Sequence, residues 1–122
     1  MSVRGIRGAI TVEANEAKQI SSATLELVNG IVAANHLNPE DICSVFVTVT
    51  NDLDDTFPAQ SIRQLPGWEL VPLMCSLEVP VKGSLKHCIR LMFLVNTDKT
   101  QAEIEHVYLR GAQALRPDLS KS

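Results

Sequence analysis

The sequence predicts an α+β domain, in which five strands and one long helix, joined by short helical turns, occupy 122 residues. Three observations carry this. Only the segment after Asn15 keeps helical spacing over several turns, five other segments are β-branched or alternate by twos, and proline, glycine or asparagine stands at the joints. One hydrophobic core fits this length, so the chain reads as a single domain, residues 1–122.

Val3 to Glu13, VRGIRGAITVE, is rich in β-branched residues and reads as the first strand, with Gly5 and Gly8 permitting close backbone approach. The helix follows. Asn15 is the expected N-cap, Glu16 suits the first turn, and Ile20, Leu27, Val28 and Ile31 keep one apolar stripe to about Asn35. Asn38 and Pro39 make a capped turn into the second strand, Ile42 to Thr50. After NDLDDT, Pro58 opens a short helix in FPAQSIRQL that brings Ala59, Ile62 and Arg63 together, and Gly67 stops it. The third strand is expected from Trp68 to Leu77. Val79 to Ser84 then turns into the fourth, LKHCIRLMFLVNT, residues 85 to 97. A polar turn near Gln101 precedes a last short strand at HVYL, and the tail holds a short helical piece at most, since Pro117 ends it.

One helix covers one face of a sheet, yet strands two and four are apolar on both. The uncovered face is expected to pack on another copy of the same sheet, in an obligate homo-oligomer. The fourth strand sharpens this. Cys88, Arg90, Met92 and Leu94 lie on one of its faces and Ile89, Leu91, Phe93 and Val95 on the other, so Arg90 is the single charge between Cys88 and Val95, where both faces are otherwise apolar. An unpaired buried cation is too costly to be accidental.

Composition narrows the function. With 45% hydrophobic residues, 20% charged, a net charge of −3 and six scattered arginines, no nucleic-acid or membrane partner is expected. No segment has the apolar core of a signal peptide or the roughly 18 apolar residues of a spanning helix, and cytoplasm is the expected compartment. Cys43, Cys75 and Cys88 are unpatterned and His36, His87 and His106 are far apart, so neither a disulfide framework nor a metal site is expected. GxSxG, GxGxxG and P-loop motifs are all missing. What remains is Arg4, Arg7, Arg63, Arg90, Arg110 and Arg116 with Glu78, Tyr108 and Cys75, a set suited to a small anion. Each also has a structural reading. Arg90 could form a buried salt bridge with Glu78, Tyr108 could be a core-edge residue with a partnered hydroxyl, His87-Cys88 could be strand packing, and Arg4 and Arg110 surface charges.

RGIRGA, FPA, GW followed by VP, Cys75 with Glu78, CIR at 88 to 90, HVYL and RPDL, in that order along nearly the whole chain, resemble the monofunctional chorismate mutases of the trimeric α/β pseudo-barrel type. The resemblance implies a mixed five-stranded sheet with one long helix, three copies forming a barrel-like core, and active sites in clefts between subunits. It implies conversion of chorismate to prephenate, on the route to phenylalanine and tyrosine, without a cofactor. Arg7, Glu78, Arg90, Tyr108, Leu115 and Arg116 would come from one subunit. Phe57, Ala59, Arg63, Leu73, Met74 and Cys75 would come from its neighbour. Arg90 would serve the ether oxygen and a carboxylate, Arg7 and Tyr108 the enolpyruvyl carboxylate, Glu78 with Cys75 the ring hydroxyl, and Phe57 the ring. The chain departs from the family pattern at Gln60, where a lysine is expected, and at Leu73-Met74, which replaces a smaller and more polar pair. Two other classes fit the arginine set: a non-catalytic trimer binding a small carboxylate for regulation, and a trimeric pseudo-barrel hydrolase acting on imines.

Overall fold

The structure, a computed structural model, describes residues 2–115. Five strands form one mixed sheet in the order β3-β2-β4-β1-β5: β1 (Ser2–Thr11), β2 (Ile42–Val49), β3 (Leu73–Leu77), β4 (Cys88–Thr97) and β5 (Val107–Leu109). At its centre β4 runs antiparallel to both β1 and β2, while β5 adds parallel to β1 and β3 parallel to β2. Helix α1 (Ala17–Asn35) and the short α2 (Pro58–Arg63) complete the architecture with three single turns of 3-10 helix.

The apolar stripe of α1 is the expected one. Ile20, Ala23, Leu27, Val28 and Ile31 are buried against Ile6, Ile10, Val45, Val47, Ile89, Leu91, Phe93 and Val95 from the sheet. Close approach of helix to sheet depends on Gly8, where a Cβ would stand 2.6 Å from Ile31 Cδ1 and 3.1 Å from the Val107 carbonyl oxygen. Because part of that crowding is backbone, Gly8→Val is expected to cost about 1–3 kcal/mol, read as a lowered midpoint in thermal or urea unfolding. An unchanged midpoint would show that the helix is free to move away.

Four local expectations give way. Asn15 is not the N-cap: its Oδ1 accepts the backbone N–H groups of Asp54 and Asp55, while the first helical N–H, that of Ala17, donates to Asp55 Oδ2 at 2.7 Å. The N-cap position is Glu16, which makes no side-chain capping bond. The third strand starts at Leu73, because the Trp68 N–H donates to the Leu65 carbonyl and that of Val71 to the Trp68 carbonyl, successive turns that a strand forbids. Trp68 instead enters the core edge-on to Phe93, with ring centroids 6.0 Å apart. The fourth strand starts at Cys88 because His87 has φ +51, held by two bonds from its N–H to the Asp52 carboxylate at 3.1 and 3.2 Å. The first strand ends at Thr11. By contrast Asn38 does cap the turn at Pro39, its Oδ1 accepting from the Glu40 N–H.

The sheet's second face differs from the first. Toward β5 it carries a small cluster of Ala9, Cys88, Tyr108 and Ala112 with Leu85 and Leu115, over which the 3-10 turn Arg110–Ala114 folds. The rest is open. Val3, Phe46 and Met74 are exposed there, and Met92 and Leu94 half-buried, so among the described residues the fourth strand beyond Cys88 is fully enclosed on the helix side only.

Candidate active site

Sheet register places the arginines. Across the ladder Arg7 stands opposite Met92, and Arg90 has Ala9 on one side and Thr48 on the other, while Ala9 is also level with Tyr108. Residues level with one another point to the same side, so Arg7, Thr48, Arg90 and Tyr108 all lie on the face away from α1. Glu78 follows β3 and is tied by its N–H to the Val49 carbonyl at 2.9 Å. Its carboxylate accepts from the Thr48 hydroxyl and lies 3.5 Å from Arg90 Nη1.

Arg90 is therefore paired, but loosely, and its side chain is 42% exposed in the single chain. It is not interred as the apolar strand implied, because the described residues leave this part of the second face open. A pair this accessible contributes little to stability, which leaves the guanidinium fork available. Arg90 and Glu78 line two adjoining hollows. One, of about 230 Å³, is closed by Thr50, Val79, Val81, Leu85, Cys88 and Leu115; the other, of about 220 Å³, by Arg7, Phe46, Thr48, Leu91 and Met92.

Tyr108 is buried and its hydroxyl has no hydrogen-bond partner among the described residues, contrary to the partnered hydroxyl expected of a core-edge tyrosine. Leaving such a group unsatisfied costs about 1–3 kcal/mol, which makes this hydroxyl, on the same sheet face as Arg7 and Arg90, a candidate donor to a ligand. Burial pushes the Cys88 thiol up to about 11, the effect of Glu78 and Asp52 adding to it and Arg90 opposing. Burial also raises Asp52, but the Thr50 hydroxyl, the His87 N–H and the His87 charge outweigh it and hold that carboxyl below its ordinary value.

The remaining expected residues lie elsewhere. Phe57 is 73% exposed and, with Val49, Leu53, Cys75 and Leu77, lines a hollow of about 560 Å³. Cys75 is level with the buried Val47 and Leu77 with Val49, so this hollow opens on the α1 side of the sheet, opposite to Arg90. Among the described residues the two groups therefore lie on opposite faces of the sheet. Met74 is exposed on the Arg90 side, Leu73 packs partly against the core, Ala59 is buried in α2, and Gln60 and Arg63 are exposed. Leu115 borders the Arg90 hollow. Arg116 lies outside the described residues. Among the others, Arg4 donates from Nε to the Lys99 carbonyl and Arg110 pairs with Glu26 at 2.7 Å, both away from the site.

Sequence reasoning missed three residues that shape this site. Thr48 holds Glu78, Asp52 fixes the turn before β4, and His106 accepts the Arg7 backbone N–H at Nδ1. Only Thr48 had a readable signal, as a polar side chain on the same strand face as Phe46, opposite to the buried Val45, Val47 and Val49.

The family model described as chorismate mutase type I matches residues 3–119. The chain is 47% identical to chorismate mutase AroH of Bacillus subtilis (strain 168) over 120 residues, 98% of this chain and 94% of that one. To chorismate mutase AroH of Thermus thermophilus it is 49% identical over 121 residues, 98% of each. Among solved structures, the chorismate mutase from Clostridium thermocellum superposes with a TM-score of 0.88 at 47% identity, covering 91% of this chain and 98% of that one.

Proposed function

The chain belongs to the type I chorismate mutase family, and from the placement of its side chains we propose how it carries out the reaction. It is a chorismate mutase, an isomerase that turns chorismate into prephenate in aromatic amino acid biosynthesis. The rearrangement is intramolecular: a C–O bond breaks as a C–C bond forms, and no atoms enter or leave. Neither nucleophile nor base is demanded, which accounts for a site made of cations and hydrogen-bond donors. Two tasks remain. The flexible enolpyruvyl arm must be held over the ring, and the negative charge gathering on the ether oxygen must be met by a fixed donor.

Arg90 takes the second task. Its base is fixed in mid-strand, and its fork serves the ether oxygen and a carboxylate together while Glu78, held by Thr48, orients it. Arg7 and Tyr108 take the enolpyruvyl carboxylate, an acceptor for the hydroxyl that has no partner among the described residues. The family resemblance assigns Arg116, outside the described residues, to the same ligand. Glu78 also accepts from the ring hydroxyl.

The neighbouring subunit closes the site with Phe57 against the ring and with Cys75, Arg63, Ala59, Leu73 and Met74 around it. The observation that carries this reading is the placement of the Arg90 and Phe57 groups on opposite sides of one sheet, together with an open apolar face around Phe46 and Met74. A homotrimer meets both conditions, since each copy offers one half-site to either neighbour. Loss of chorismate absorbance with appearance of prephenate, followed beside a sizing column, tests activity and assembly at once. A purified protein that leaves chorismate unchanged would defeat the reading.

The pH profile follows from the same chemistry. Between about pH 6 and pH 9, kcat is expected to be nearly flat, because no proton is transferred in the bond-making step. The signs agree: a thiol raised to about 11 stays neutral throughout this window, and a carboxyl held below its ordinary value stays charged. A bell centred near neutrality would point to an acid or base in the chemical step.

A further inference from the structure

We propose that His106 is a positioning residue that fixes the spacing between Arg7 and Tyr108 by accepting the Arg7 backbone N–H at Nδ1, a bond of 2.9 Å. The inference rests on the assignment of Arg7 and Tyr108 to the substrate carboxylate. Strand β5 is only three residues long, lies at the sheet edge, and pairs with β1 only from Gly8 to Ile10. A ladder this short holds its strand weakly. Arg7 is the first residue of β1 beyond the pairing, and its N–H would face the open edge but for the imidazole.

The segment entering β5 is gripped from two sides. Asn35, buried at the end of α1, donates from Nδ2 to the Glu105 carbonyl and accepts the Glu105 N–H at Oδ1, both at 2.8 Å. One residue on, His106 crosses to β1. Two residues beyond that stands Tyr108, whose buried hydroxyl has no hydrogen-bond partner among the described residues. The helix thus sets the height of the segment, and His106 ties it laterally to the strand that carries Arg7. The accepting lone pair requires a neutral ring with its hydrogen on Nε2, and a side chain with no acceptor at that point leaves the N–H unpaired.

Steady-state kinetics of the full chain with chorismate test this. His106→Leu is expected to raise KM by about five- to tenfold with kcat within about twofold, the pattern of lost uniform binding. His106→Asn, whose Oδ1 falls where Nδ1 was, is expected to return KM to near wild type, which a merely structural loss would not do. Unchanged KM in the leucine variant, or an asparagine variant no better than leucine, overturns the proposal. If the leucine variant does not fold, His106→Asn against His106→Gln decides, because the longer amide misplaces its acceptor; equal KM values overturn it. Tyr108→Phe, run in parallel, separates the premise from the inference. No rise in KM there defeats both, whereas a rise there without one in His106→Leu defeats the role of His106 alone.

Discussion

Replacing Arg90 by lysine is expected to lower kcat by about a hundred- to a thousand-fold, the usual effect of removing a fixed donor from the site of developing charge. The expected change in KM is smaller, because the lost bond is strongest where the ether oxygen is most charged, in the transition state. Lysine keeps the positive charge and can still meet Glu78, so no carboxylate is left unpaired and folding should be unaffected. What it loses is the second donor. A single ammonium cannot serve the ether oxygen and a carboxylate in one plane. Initial rates at saturating chorismate, with circular dichroism as the control for folding, are the measurement. Near wild-type turnover in a folded Arg90→Lys protein would remove the guanidinium from the centre of the mechanism.

Patterns that repeat along one element are legible in the amino-acid sequence itself. The stripe from Ile20 to Ile31 and the alternation from Ile89 to Val95 each follow from a single period, and both fold as that period predicts. The failures have a common cause, which is a local conformation decided by a distant partner. His87 is driven into the left-handed region by a carboxylate 35 residues away, Asn15 is drawn off its helix by the loop at Asp54, and Trp68 abandons a strand for a ring contact with Phe93. The site divides in the same way. Arg90 stands out as a charge in an apolar strand, but its company does not, because Thr48, Arg7 and Tyr108 meet it only through the register of three ladders. Their roles come through the family resemblance. His106 gives no signal at all, since nothing in the sequence tells which backbone N–H lies beyond the end of a three-residue strand.

The second large effect is expected from mixing two inactive proteins. Phe57 is exposed in the single chain, so Phe57→Glu should fold, yet it sets a negative charge against the wall that receives a dianion. Arg90→Lys fails from the other half of the site. If each site takes Arg90 from one subunit and Phe57 from the next, trimers refolded from equal amounts of the two variants restore about a quarter of the wild-type activity. The fraction follows from geometry: a site is intact only when one subunit carries the Phe57 change and the adjacent one the Arg90 change, each with even odds. A site built within one chain gives a different result, because every chain in the mixture is damaged and activity stays at the sum of the two variants. The sizing profile of the mixture fixes the remaining term, for a species eluting as a monomer leaves the Phe57 hollow and the Arg90 hollow on opposite sides of one sheet.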